Sequence, residues 1–228
     1  MSKKIVVAID GPAGSGKSTI AKALAQKLGF VYLDTGAMYR AITYLAISKS
    51  ILNEIPEIIE LARNIDLKLS FENGITRVFV DGVEVTENIR TPEINSKVSD
   101  ISRIPEIRQE MVRIQRSLGQ KGNLVAEGRD TTTVVFPDAD LKIFLTAALE
   151  ERAKRRFLEY QEKGQVTSLE EVKKSIENRD YIDSHREVSP LKKADDAVEI
   201  DTTFMTVGKE QEIILNKIEE IKKQTEPQ

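Results

Sequence analysis

Short apolar runs alternating with amphipathic helical stretches predict an α/β protein: a three-layer fold with a five-stranded parallel core sheet and helices on both faces. Two further observations fill out that prediction. The glycine-rich segment Gly11-Pro12-Ala13-Gly14-Ser15-Gly16-Lys17-Ser18 lies between the first apolar run and the first helical pattern. Residues 66–87 alternate with period two instead, which adds a small antiparallel three-stranded insertion.

Taken in order, the expected core strands are the runs at 5–9, 30–33, 123–126, 141–145 and 197–200. The first helix is expected over about 17–28, with Ile20, Leu24 and Leu28 on one face and Gly29 as its stop. In the insertion Leu67, Leu69 and Phe71 alternate, then Val78 and Val80, then Val83 and Val85. Asn73-Gly74 and Asp81-Gly82 stand at the two joints, and such dipeptides favour tight hairpin turns. Helices at about 92–102 and 105–118 return the chain to the main sheet, the first starting at Thr91-Pro92. Ser168-Leu169-Glu170-Glu171 reads as a capping box. A last helix at about 207–223 carries Ile214, Ile218 and Ile221 on one side, and the charged tail from Lys222 to Gln228 is expected to fray.

Composition narrows the function. Of 228 residues, 40% are hydrophobic and 31% charged, an ordinary globular balance. Lys+Arg 34 against Asp+Glu 37 leaves a net charge of -3, which argues against a broad electrostatic grip on nucleic acid or an anionic membrane. With no cysteine there is neither a disulfide framework nor a thiolate metal site. The N-terminal apolar run breaks at Asp10, too early for a secretory signal, and no stretch is apolar enough to span a bilayer. A cytoplasmic monomer is the expectation.

The glycine-rich segment fits the phosphate-loop pattern G-x-x-x-x-G-K-[ST] in its proper strand-before, helix-after setting. Such a loop turns successive backbone N–H groups toward phosphate oxygens, and the following helix adds its positive end. Gly11, Pro12, Ala13, Gly14, Ser15, Gly16, Lys17, Ser18 and Thr19 are therefore the expected ATP-binding residues, with Lys17 at the β/γ-phosphates and Ser18 on Mg²⁺. Asp10 and Asp34 are candidates to hold Mg²⁺-bound waters. Past the second and third strands come Leu33 to Arg40 and Glu127-Gly128-Arg129-Asp130, at the sheet edge where open α/β folds bind ligands. Arg40 and Arg129, expected in glycine-bearing turns, offer two planar forks to a phosphate dianion. Arg152, Lys154, Arg155 and Arg156 form a basic helical stretch, which reads as a mobile lid bringing charge over the transferred phosphoryl group.

These motifs, with Val135-Phe136-Pro137-Asp138-Ala139 and the run from Arg179-Asp180 through Arg186 to Ser189-Pro190-Leu191, resemble the bacterial cytidylate kinase family along nearly the whole chain. The resemblance implies a P-loop nucleoside-monophosphate-kinase-like fold. It also implies transfer of the ATP γ-phosphoryl group to CMP or dCMP with Mg²⁺. Under it Thr35, Arg40 and Arg129 correspond to residues holding the acceptor phosphate. Ser99, Arg108 and Asp130 correspond to those reading cytosine, and Arg179, Asp183 and Arg186 to those around the sugar and phosphates. Lys17, Arg129, Arg155 and Arg156 would be the catalytic groups. The implied organisation is a core of 1–50, 120–150 and 190–228, an acceptor-binding insertion at 55–118 and a lid at 151–187. Two departures stand out: Thr35 where many members have Ser, and Thr132 where glycine is common. A threonine at position 132 would be strained if the backbone there needs a positive φ. Rival readings are a kinase for AMP, UMP or a sugar acid, a GTP switch, and a nucleic-acid motor. The absence of an N-K-x-D segment counts against the switch, and the charge balance against the motor.

Overall fold

The computed structural model describes residues 4–72, 74–120, 122–162 and 164–225. Five parallel strands form the main sheet: β1 (Val6–Asp10), β2 (Val31–Asp34), β6 (Leu124–Gly128), β7 (Leu141–Thr146) and β8 (Val198–Asp201), in the order β2-β6-β1-β7-β8. All five expected runs are strands, with ends shifted by one or two residues. β1 lies at the centre, pairing Val7 with Val125 on one side and with Leu141 on the other. Because every connection between these strands is a crossover, helices must cover both faces.

One face packs α1 (Lys17–Leu28) and α8 (Val207–Thr225) on the sheet. Ile20, Leu24, Ile214 and Ile218 are fully buried there against Val7, Ile9, Ile143 and Leu145. Each such side chain contributes about 1.5–3 kcal/mol of hydrophobic stabilisation. Gly29 ends α1 in the left-handed conformation, its N–H bonding to the Ala25 carbonyl. α8 continues to Thr225, past the point where fraying is expected from Lys222, and residues 226–228 of that tail lie outside the described residues.

The other face carries α2 (Thr35–Ser48), α3 (Ile55–Asn64), α4 (Pro92–Ser102) and α5 (Pro105–Gly119). The small antiparallel sheet, β3 (Leu67–Glu72), β4 (Ile75–Val80) and β5 (Val83–Glu84), joins the same core. Val78 and Val80 pack with Met38, Ile42, Ile89 and Met111, so the meander is continuous with the sheet's apolar layer. Asp81 and Gly82 both have positive φ, as the two-residue turn requires, and β5 is only two residues long. Asn73 of the other expected turn lies outside the described residues. Thr91 caps α4 through its hydroxyl, and Ser168 with Glu171 closes the capping box of α7 (Leu169–His185). α6 (Leu149–Glu162) packs against it, Ala153 joining Val172 and Ile176. Among the described residues no helix is long and apolar enough to cross a membrane.

Candidate active site

Register brings the chemistry to one edge. Asp10 pairs with Gly128 and Asp34 with Glu127, so β1, β6 and β2 finish at one level and their following segments meet above the sheet. A cleft of about 500 Å³ opens there, lined by Ala13 to Thr19, the start of α2, residues 127–130 and the inner faces of α4, α6 and α7.

The phosphate loop forms one wall. Gly16, at φ 91, turns the loop into α1, a conformation that a residue with a Cβ adopts only under strain. Gly11 and Pro12 lie at the loop's base, outside the cleft lining; Gly11 packs so tightly on the Leu145 carbonyl that no side chain fits. Lys17 is buried and donates to the Pro12 carbonyl at 2.7 Å. Burial, reinforced by the nearby Arg129 charge, holds its pKa well below the ordinary lysine value, so this ammonium gains most from an arriving polyphosphate. Ser18 and Thr19 face the opening.

Glu127, a strand-end acid to which the motif gives no role, lines the cleft on the side of Ser18. Its carboxylate accepts from the Tyr32 hydroxyl at 2.5 Å and lies beside Ser18. Burial and the neighbouring Asp34 raise its pKa. Asp34 itself caps α2 by accepting from Ala37 N–H at 2.9 Å and pairs with Arg90 at 3.6 Å. Among the described residues no cluster of three acidic, histidine or cysteine side chains could hold a metal alone. The donor set suits Mg²⁺, which keeps most of its waters and takes few protein ligands: one hydroxyl, Ser18, with Glu127 and Asp34 nearby as acceptors.

The opposite wall holds the expected acceptor residues. Arg108 is fully buried, donating from Nη2 to Asp130 and from Nη1 to the Ser102 carbonyl at 2.8 Å, with its guanidinium 5.2 Å from the centre of the Tyr39 ring. Burial opposes its charge, but Tyr39 and Asp130 outweigh that and raise its pKa. Ser99 lines the same end of the cleft from α4. Beside them Arg129 donates to Asp183 at 2.8 Å, while Arg179 and Arg186 approach that carboxylate at 3.9 and 3.8 Å. Burial disfavours the Asp183 carboxylate, yet the three arginines more than offset it and hold its pKa below the usual range. Burial, with Arg129 and Arg40 close by, pushes Arg179 down to about 9. Arg179 Nε and one Arg186 terminal nitrogen are buried with no hydrogen-bond partner among the described residues. The Thr35 hydroxyl donates to the Glu127 carbonyl at 2.7 Å, and a side chain at Gly128 would overlap it.

Four expectations change. Arg40 stands on the second turn of α2 rather than in a turn, reaching Asn95 Oδ1 at 3.4 Å, because Asp34 caps the helix immediately after β2. Asp10 is not available to metal-bound water: fully buried, it accepts from the N–H and hydroxyl of both Thr131 and Thr132, at 2.6–2.9 Å. Burial still raises its pKa despite those four bonds. Thr132 is unstrained; it belongs to a single turn of π-helix, Thr131–Val135, without positive φ, and its hydroxyl adds a bond that glycine lacks. Arg152 is not a free lid cation, since it is buried against the phosphate loop.

Arg155 and Arg156 do line the cleft. Arg155 is tied to Thr202 just past β8, through the hydroxyl at 3.1 Å and the carbonyl at 2.6 Å, and Arg156 to Glu159 at 2.8 Å. A shallower recess next to Gly16, Thr19 and Arg155 is walled by Phe204, Met205 and Val207, with Phe204 98% exposed. His185 lies exposed at the end of α7, stacked on Tyr181 and outside the cleft lining.

A family model described as cytidylate kinase matches residues 7–222. The chain is 53% identical over 220 residues to a cytidylate kinase of Enterococcus faecalis (strain ATCC 700802 / V583), covering 95% of this chain and 96% of that protein. It is 49% identical over 208 residues to a cytidylate kinase of Bacillus thuringiensis (strain Al Hakam), covering 91% and 92%. An uncharacterised protein from Eubacterium ventriosum ATCC 27560 shares the fold at a TM-score of 0.52 and 15% identity, covering 96% and 99%. With the phosphate loop, the five-stranded parallel sheet and a family match along nearly its full length, the chain belongs to the cytidylate kinase family.

Proposed function

We propose that the protein transfers the γ-phosphoryl group of ATP to CMP or dCMP, giving ADP and CDP or dCDP. The observation that carries the reading is one cleft that joins a phosphate loop to the buried Arg108–Asp130 pair. An acceptor phosphate oxygen attacks the γ-phosphorus in line while the bond to the β,γ-bridging oxygen breaks, leaving ADP. Lys17 and the loop amides hold the donor phosphates. Arg40, Arg129 and Thr35 hold the acceptor phosphate, and Arg155 or Arg156 neutralises charge that develops on the transferred group. Ser18 would hold Mg²⁺, with Glu127 and Asp34 as nearby acceptors for its waters, and the ion would there supply Lewis-acid charge neutralisation. The apolar recess at Phe204 and Met205 suits the purine of the donor, on the far side of the loop from the acceptor.

At the base, Arg108 donates to the cytosine ring edge and Asp130 accepts from its exocyclic amine, with Ser99 alongside. Uracil sets a carbonyl against the carboxylate and leaves a buried acceptor unpaired, a strong basis for rejection. Asp183, Arg179 and Arg186 surround the sugar and phosphates. Residues 55–118 then act as the acceptor-binding unit and 151–187 as the lid on a core of 1–50, 120–150 and 190–228. The protein works as a cytoplasmic monomer with small-molecule partners alone.

The test is ADP formation from Mg-ATP against CMP, dCMP, UMP, AMP, GMP and no acceptor. Turnover concentrated on CMP and dCMP is expected. Preference for another monophosphate overturns the base assignment, and hydrolysis without an acceptor overturns the kinase reading.

A further inference from the structure

The Ala13 peptide of the phosphate loop is held by side chains from the two helices across the cleft. Its N–H donates to Asp180 of α7 at 2.9 Å, and its carbonyl accepts from Arg152 of α6 at 3.0 Å. Arg152 and Asp180 are themselves hydrogen-bonded, and Arg152 Nε donates to the Ala147 carbonyl at 2.9 Å. The contact is apolar as well as polar, for the Ala13 methyl packs with Ala153, Val172 and Ile176 in a cluster separate from both main cores. A Cβ at Gly14 would press on Arg152 at 3.1–3.2 Å, so loop and α6 already touch at full density.

A carboxylate bonded to a phosphate-loop amide is electrostatically misplaced. That N–H lies in the loop whose backbone amides serve anionic oxygens, and a bare carboxylate there would repel a polyphosphate. Arg152 cancels the charge, so the pair grips the peptide without a net negative field. We propose that Arg152 and Asp180 are positioning residues for the donor nucleotide, which fix the Ala13 peptide and lock the bases of α6 and α7 to the loop as one body. The proposal rests on the ATP-binding reading of that loop. Closure over substrate then comes from the parts of α6 and α7 beyond this joint and from the acceptor side.

The sharpest consequence is a rescue. Arg152→Met leaves Asp180 unneutralised beside the phosphates and raises KM for Mg-ATP about tenfold or more, the scale of one charge-assisted bond. Adding Asp180→Asn removes the charge while its amide oxygen still accepts from Ala13 N–H, so Arg152→Met/Asp180→Asn recovers most of that loss. KM for CMP stays within about twofold throughout, a split that general destabilisation does not produce. A double variant as poor as, or worse than, Arg152→Met overturns the proposal, as does an equal rise in both KM values. Should Arg152→Met fail to fold, amide exchange in the unaltered protein decides: Ala13 N–H exchanges as slowly as the β1 amides before any nucleotide is added, and rapid exchange overturns the joint. Wild-type turnover with CMP is measured first, and its absence strikes the kinase reading separately while leaving the joint to the exchange result.

Discussion

The acceptor wall of the cleft has two ends that differ in charge balance. At the end proposed to read the base one arginine, Arg108, meets one carboxylate, Asp130, and both are buried. At the end proposed to hold the acceptor phosphate Arg129, Arg179 and Arg186 converge on the single carboxylate of Asp183, with Arg40 close by. The first is neutral and the second carries excess positive charge. Bases are uncharged and phosphates are dianions, so each end is balanced for its part of the same molecule only when that molecule is bound. A buried neutral pair selects by geometry; an uncompensated cationic group binds by charge and is costly until filled.

The largest test removes the buried cation that faces the cationic end from the phosphate-loop wall. Lys17→Ala is expected to lower turnover by about a thousandfold or more with every acceptor, because the charge on the transferred group loses its buried partner. Steady-state rates with CMP and UMP check this, and near-normal activity refutes the assignment. Next, Asp130→Ala strikes the neutral end: kcat/KM for CMP falls by roughly a hundredfold and the preference for CMP over UMP collapses, while KM for ATP holds. Melting temperature falls as well, since Arg108 is left buried and unpaired. An unchanged CMP preference would remove Asp130 from base reading.

A smaller effect concerns protons. Lys17 has a depressed pKa in the free protein, and bound phosphates raise it. Proton uptake therefore accompanies ATP binding at pH values between the free-state and bound-state pKa, and affinity falls as pH rises across that interval. Calorimetric titrations in buffers of different ionisation enthalpy measure it; proton release on binding contradicts it. The smallest is Thr132→Gly, which deletes one of four bonds to Asp10 and costs about 1 kcal/mol of stability, with a few-fold rise in KM for CMP through the adjoining Asp130. Thermal unfolding and acceptor kinetics report the two parts.

Local features were legible before the structure. The phosphate loop, the Gly29 stop, the Thr91 cap, the Ser168 capping box and the Asp81-Gly82 turn are each decided by neighbours within a few residues. So were the core strands, whose apolar runs are interrupted by polar turns. What stayed hidden depends on partners far along the chain. Asp10 meets Thr132, and Arg152 meets Ala13, across |i−j| separations of 122 and 139. A buried polar bond of that span leaves no periodicity to read. Glu127 was visible as a strand-end acid, but its contacts with Tyr32 and Ser18 follow from sheet order, not from its own segment. Arg40 was misplaced for a simpler reason: Gly36 suggests a turn, and only the Asp34 cap reveals that the helix starts there.

The sheet order also sets a schedule for the nascent chain. β1, the strand that leads into the phosphate loop, has β6 and β7 as its neighbours, so Val7 must wait for Val125 and Leu141. Contacts so distant in sequence make for slow assembly, with loop closure preceding any reward. Until β6 follows β1 out of the ribosome, the strand has no parallel neighbour and its apolar run stays exposed, at ordinary synthesis rates for roughly ten seconds. The strand that carries the phosphate loop is thus synthesised well before the neighbours that hold it in place.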